Sequence, residues 1–281
     1  MKLVFSEKCL EYNWQGHIER PERVRGALDL LKTRYEFIEP QPATEQDLLG
    51  VHTQDYVNYI KNARPGSYLD GDTPAPENIY EYALLSAGGA IVASQQNAFS
   101  IMRPPGHHTG RNGPAMDAAT LGFCYFNNIA IAVKKLNKPT LILDIDGHHG
   151  NGTQEIFQTD PKVTFVSLHR HPTYPGTGLR SVGKCLNFPL PYNAGDSLYL
   201  KTLRQALNLV NMDNITNVAI SAGFDAHQGD LASLGLTPEG YGQIGKMVGE
   251  LNRPVFAVLE GGYIGEYVGT DIHELISGIE G

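Results

Sequence analysis

Six short stretches of the chain, near residues 2–5, 98–102, 140–145, 163–168, 217–221 and 255–259, are almost wholly apolar. Runs of that length without alternation predict strands buried on both faces. Between them, apolar residues recur three and four apart. Arg20 to Tyr35 sets Val24, Ala27, Leu28 and Leu31 on one helical face. The same spacing predicts helices over 78–96, 127–136, 151–157, 197–211, 237–251 and 264–279, the first of them with small residues suited to close packing. Thr237-Pro238-Glu239 has the form of a capped helix start with proline in the first turn. Alternating strands and helices predict an α/β fold with a largely parallel sheet. No internal repeat or low-complexity linker divides the chain, so 1–281 is expected to form one domain. Pro65 to Pro76 is expected to be a surface loop that carries Asp70 and Asp72 to a rim.

Composition narrows the function. With 41% hydrophobic residues the chain can bury a sizeable core. A net charge of −8, with no basic stretch, argues against direct nucleic-acid binding. No run reaches the roughly 18 apolar residues of a membrane span. The opening Met-Lys-Leu-Val-Phe reads as a first strand rather than a signal peptide. Cys9, Cys124 and Cys185 are too few, and odd in number, for a disulfide framework, so a cytoplasmic location is expected.

The strand ends carry the chemistry. The run over 140–145 leads into Asp144-Ile-Asp146-Gly-His148-His149-Gly-Asn151. Side chains two apart on an extended chain point the same way, so Asp146 and His148 can reach one point, with Asp144 behind them. Carboxylate oxygen and imidazole nitrogen suit a divalent ion such as zinc or iron(II). The run over 98–102 leads into Arg103-Pro-Pro-Gly106-His107-His108. Paired histidines in such a turn are candidates for general base work, because neutral imidazole titrates near working pH. A third run ends in Phe224-Asp225-Ala-His227, and a fourth in Glu260-Gly-Gly262-Tyr263, which presents a phenol on a glycine turn. Four strands that each end in chemistry fit the rule that open α/β sheets bind ligands outside the carboxyl ends of their strands.

These segments, in this order, resemble those of the histone deacetylase and acetylpolyamine amidohydrolase family, the zinc-dependent deacetylases of the arginase-like fold. The likeness runs from Glu19-Arg20-Pro21-Glu22-Arg23 to Tyr263. It includes Gly122-Phe-Cys-Tyr-Phe-Asn-Asn128, Ser167-Leu-His169 and Pro175-Gly-Thr-Gly178 besides the four strand ends. Asn151 and Glu260 are closer to the class II and bacterial members than to class I. The resemblance implies a three-layer α/β/α architecture and one zinc per chain, with iron(II) as the alternative. Asp146, His148 and Asp225 are the implied metal ligands. His108 is the implied general base, with His107 its electrostatic partner. Asp144 is expected to bond His107, and Asn151 to bond His108. Tyr263 is the implied oxyanion donor, while Phe123, Tyr174 and Gly122 line the substrate tunnel. A structural potassium is implied at Asp144, Asp146, His148, Ser167 and Leu168. Arg23 matches an arginine at the inner end of the family's pocket.

The implied reaction is removal of acetyl from N-acetyl-lysine, with an acetylpolyamine or other small acyl amide as the alternative substrate. An inactive acyl-lysine binding module on the same fold would usually have lost a ligand or the tyrosine, and none is lost here. Some positions depart from the family. Gly147 replaces a bulky apolar residue, and Thr109 replaces alanine. The segment 110–121 is longer than usual and is expected to be a mobile loop near the mouth. Gly150 stands where arginases need a carboxylate for a second metal. Leu231-Ala232-Ser233 offers no acidic gatekeeper of the kind that favours acetylpolyamines.

Overall fold

The apolar runs assemble into one sheet. In the computed structural model, which describes residues 1–281, the strands are β1 (Leu3–Val4), β2 (Phe37–Ile38), β3 (Phe99–Ser100), β4 (Thr140–Asp144), β5 (Val163–Arg170), β6 (Cys185–Leu190), β7 (Asn217–Ala222) and β8 (Val255–Leu259). Their order is β6-β5-β4-β7-β8-β3-β1-β2. Every pairing is parallel. All residues of β4, β7 and β8 are buried, which explains why these runs do not alternate. β6 and β2 were not legible as strands. β6 carries Pro189 and lies at one edge, where a missing N–H is tolerated, and β2 is a two-residue strand at the other edge.

Helices cover both faces, and each face has its own apolar cluster. They are α1 (Glu22–Leu31), α2 (Glu45–Leu49), α3 (Gln54–Lys61), α4 (Ile79–Gln96), α5 (Asn128–Leu136), α6 (Asn151–Phe157), α7 (Gly195–Asn208), α8 (Pro238–Gly249) and α9 (Gly265–Glu280). The apolar stripe of α1 is buried at Val24, Ala27, Leu28 and Leu31. Thr237 caps α8 by accepting from Gly240 N, with Pro238 at the first turn. Two short helices, α2 and α3, escaped the periodicity reading. Their starts are marked only by the caps Thr44 and Thr53. Residues 65–76 form a small hairpin, Ser67–Tyr68 against Pro74–Ala75, rather than an open loop.

Candidate active site

Parallel register brings the chemistry to one edge of the sheet. Ser167 of β5 and Ser221 of β7 lie opposite Asp144 at the end of β4. The loops after β4 and β7 supply Asp146, His148 and Asp225. One donor atom from each lies within 4.8 Å of the others, and all three residues are buried. His148 Nδ1 is 2.6 Å from Asp225 Oδ2 and 3.3 Å from Asp146 Oδ1. Asp225 Oδ1 accepts from Gly147 N at 2.8 Å, and Asp146 Oδ2 accepts from Gly261 N at 2.8 Å. Asp225 Oδ2 is buried and has no hydrogen-bond partner. Burial and Asp146 push the Asp225 carboxyl up to about 6. Burial opposes protonation of His148, but Asp225 and Asp146 raise it to about 10. Two buried carboxylates and one imidazole thus converge, and their oxygen and nitrogen donors fit a divalent cation.

The two histidines of the next loop have unequal partners. His107 Nδ1 is 3.0 Å from Asp144 Oδ2, and His108 Nδ1 is 2.8 Å from Asn151 Oδ1. Burial disfavours the charged form of both rings. For His107, Asp146 and Asp144 overcome it and raise the imidazole to about 10. For His108, the neighbouring His107 and His148 add to burial, and the ring is held well below its ordinary range. The surroundings therefore favour the charged form of His107 and the neutral form of His108. Of the residues expected to hold a potassium, Ser167 lies opposite Asp144 across β4 and β5 with Leu168 next in the strand, and the Ser167 hydroxyl lies 2.9 Å from His169 Nδ1.

Tyr263 is set by its main chain. Asp230 Oδ2 accepts from Tyr263 N at 2.8 Å and from Ile264 N at 2.9 Å. Gly261 passes so close to the Asp146 and Asp225 carboxylates that a Cβ there would lie 2.6 Å from Asp146 Oδ2. Arg23, at the start of α1, is fully buried. It donates to Gly262 O at 2.6 Å and to Glu260 O, and its guanidinium lies 4.7 Å from the Tyr263 ring centre. Glu260 Oε2 accepts from Gly106 N at 2.7 Å and His107 N at 3.1 Å, so the histidine and tyrosine loops are joined directly.

These groups open onto a pocket of about 240 Å³ lined by Asp72, His108, Gly122, Phe123, His148, Thr173, Tyr174, Leu231 and Tyr263. The three tunnel residues named from sequence are all in its wall. Phe123 has φ +68°, a left-handed conformation that is costly for a bulky residue. Gly122 also has positive φ, and a Cβ there would lie 2.6 Å from His108 Cδ2 and 2.9 Å from the Tyr174 hydroxyl. Of the two rim acids, Asp72 lines the pocket. Asp70 instead accepts from the backbone of Asp72, Thr73 and Leu121. The segment 110–121 is not free. Its hairpin pairs Gly110 with Gly113, and Ala115 O accepts from Asn151 Nδ2 at 2.9 Å. Sequence reading missed the roles of Glu19 and Asp230, because Glu19 reaches Arg103 and Asp230 reaches Tyr263 across long stretches of chain. Glu19 bonds both Arg103 and Arg23 in a buried cluster.

The chain and its fold are similar to those of known proteins. A family model described as histone deacetylase domain matches residues 17–279. A probable deacetylase of Archaeoglobus fulgidus is 39% identical, with 93% of this chain and 80% of that protein covered. The solved HDA15 HD domain superposes with a TM-score of 0.89 at 34% identity, over 98% of this chain and 87% of that one. An acetylpolyamine aminohydrolase from Burkholderia pseudomallei has the same fold, with a TM-score of 0.89 at 24% identity over 99% of this chain and 98% of its own.

Proposed function

The chain belongs to the histone deacetylase domain family and is a hydrolase acting on amide bonds, and from that premise we propose that it removes acetyl groups from N-acetyl-lysine with one zinc ion held by Asp146, His148 and Asp225. The observation that carries this reading is the orphaned Asp225 Oδ2, facing His148 Nδ1 below a pocket that also holds His108 and Tyr263. Iron(II) suits the same donors. When bound, the cation supplies Lewis acidity toward the amide carbonyl and lowers the pKa of water. His108, uncharged, takes a proton from the attacking water. His107, charged and bonded to Asp144, holds a positive field beside it. Asn151 orients His108 and stabilises its cation less than a carboxylate would. The Tyr263 hydroxyl donates to the oxyanion. Phe123, Tyr174 and Gly122 enclose the lysine stem. Structural potassium is assigned to Asp144, Asp146, His148, Ser167 and Leu168, where it offsets buried negative charge.

Residues 1–281 act as one catalytic domain. The three buried free cysteines are in keeping with a reducing cytoplasm. At the pocket mouth Leu231 stands where a polyamine-selective enzyme would place an acid, which favours acetyl-lysine in protein. Asp72, in the same lining, favours the second reading, an acetylpolyamine with a cationic tail. Hydrolysis rates on matched acetyl-lysine peptide, acetylspermidine and longer acyl-lysines separate the two. The expected order puts acetyl-lysine peptide first, and a higher kcat/KM on acetylspermidine overturns it.

A further inference from the structure

Three residues of the pocket wall are tied to one another by hydrogen bonds that run outside the chemistry. Tyr174 Oη donates to Thr120 O at 2.8 Å. The Thr120 hydroxyl donates to Asp72 Oδ2 at 2.7 Å. The Thr73 hydroxyl donates to Asp72 Oδ1 at 2.9 Å, and the same Thr73 oxygen accepts from Phe123 N at 3.2 Å. The result is a continuous chain, Phe123–Thr73–Asp72–Thr120–Tyr174, in which the first, third and fifth members line the pocket. Thr120 belongs to the segment 110–121, longer here than the family pattern, and it holds one wall through its carbonyl and another through its hydroxyl. The backbone beyond it is pinned as well, since Leu121 N donates to Asp70 Oδ2 at 2.7 Å. Phe123 needs such support, because its left-handed backbone persists only where its surroundings over-determine it.

We propose that Thr120 is a specificity-determining positioning residue, a clasp that fixes Tyr174 and Asp72 as one preformed rim around an extended acyl-lysine stem. The proposal rests on the acyl-lysine reading above. A rim already ordered loses little side-chain freedom when the substrate enters, so the clasp acts on binding rather than on the chemical step. Asp72 is held by two hydroxyls, and its carboxylate is aimed and not left to swing in solvent.

The test compares Thr120→Val, which removes only the hydroxyl, with Thr120→Ser, which keeps it. On acetyl-lysine peptide, Thr120→Val is expected to raise KM about three- to tenfold, the scale of one well-made hydrogen bond, with a smaller change in kcat. Thr120→Ser restores KM to within about twofold of the parent, because the donor is retained. Hydrogen exchange in metal-loaded protein without substrate supplies a second readout. Amides of 70–73 and 111–123 are expected to exchange faster in Thr120→Val and near the parent rate in Thr120→Ser. Unchanged KM and exchange in Thr120→Val overturn the clasp, as does a loss confined to kcat. If the parent protein is inert on acetyl-lysine peptide while the exchange difference persists, the substrate reading falls. KM is then read on acetylspermidine, and an unchanged value there overturns the specificity role.

Discussion

His107 and His108 are neighbours in sequence whose surroundings push their imidazoles in opposite directions, and their Nδ1 partners differ in charge. Asp144 offers His107 a carboxylate, whereas Asn151 offers His108 an amide oxygen. Burial, His107 and His148 hold His108 well below the ordinary imidazole range, so the base stays unprotonated as pH falls through 6.5. The acid limb of kcat/KM is therefore expected below that range. Asn151→Asp should move it to higher pH by on the order of one unit, because a carboxylate stabilises imidazolium. An acid limb that does not move in Asn151→Asp contradicts this assignment. His108→Ala should lose more turnover than His107→Ala with metal content equal, and equal rates remove the proposed division of roles. At Tyr263, loss of one oxyanion donor typically lowers turnover about a hundred- to a thousandfold. Tyr263→Phe is expected to show that loss in kcat with little change in KM, and near-normal turnover would reduce the phenol to packing.

The strand ends that lead to Asp146, His148 and Asp225 were legible because each follows an apolar run that reads as a buried strand, whereas the grouping of the three came from the family resemblance. The loops after β4 and β7 bring them together as a candidate metal site. What joins the elements was not legible. Glu19 meets Arg103 across 84 positions, and Asp230 meets Tyr263 across 33, so no short pattern marks either pair. The segment 110–121 reads as a mobile loop because it is polar and glycine-rich, yet its backbone is held by Asn151, Tyr174 and Asp70. β6 went unread because Pro189 argues against a central strand, and it proves to be an edge one. Asp230 ties the loop after β7 to the start of α9 through two amide donors. Asp230→Ala is expected to lower kcat between about ten- and a hundredfold by letting Tyr263 shift. In a Tyr263→Phe background the same change should add little. Multiplicative losses, or loss of bound metal, would make its role purely structural.

Across the whole molecule, one buried cluster braces the active face. Glu19 accepts from Arg103 and Arg23, and all three are almost fully enclosed. Burial alone would raise the Glu19 carboxyl, but Arg103 and Arg23 hold it down at about 2. A carboxyl depressed in the folded state stabilises it above the unfolded value, about 4.3. That contribution is lost as pH falls from there toward about 2. Glu19→Gln leaves two buried guanidinium groups without their anion, and breaking such a cluster costs about 3–5 kcal/mol. Denaturant unfolding should show that loss at neutral pH and a shallower decline below pH 4.3 than in the parent, while an unchanged midpoint would contradict it. Amide hydrolysis is proposed to depend on a single divalent ion at Asp146, His148 and Asp225. This dependence is tested most directly by stripping the protein of metal and titrating zinc back while acetate release from acetyl-lysine peptide and bound metal are both measured. No turnover is expected in the stripped protein, activity should saturate at one equivalent per chain, and Asp225→Ala should show neither binding nor activity. Full turnover in the stripped protein, or in Asp225→Ala, would contradict it.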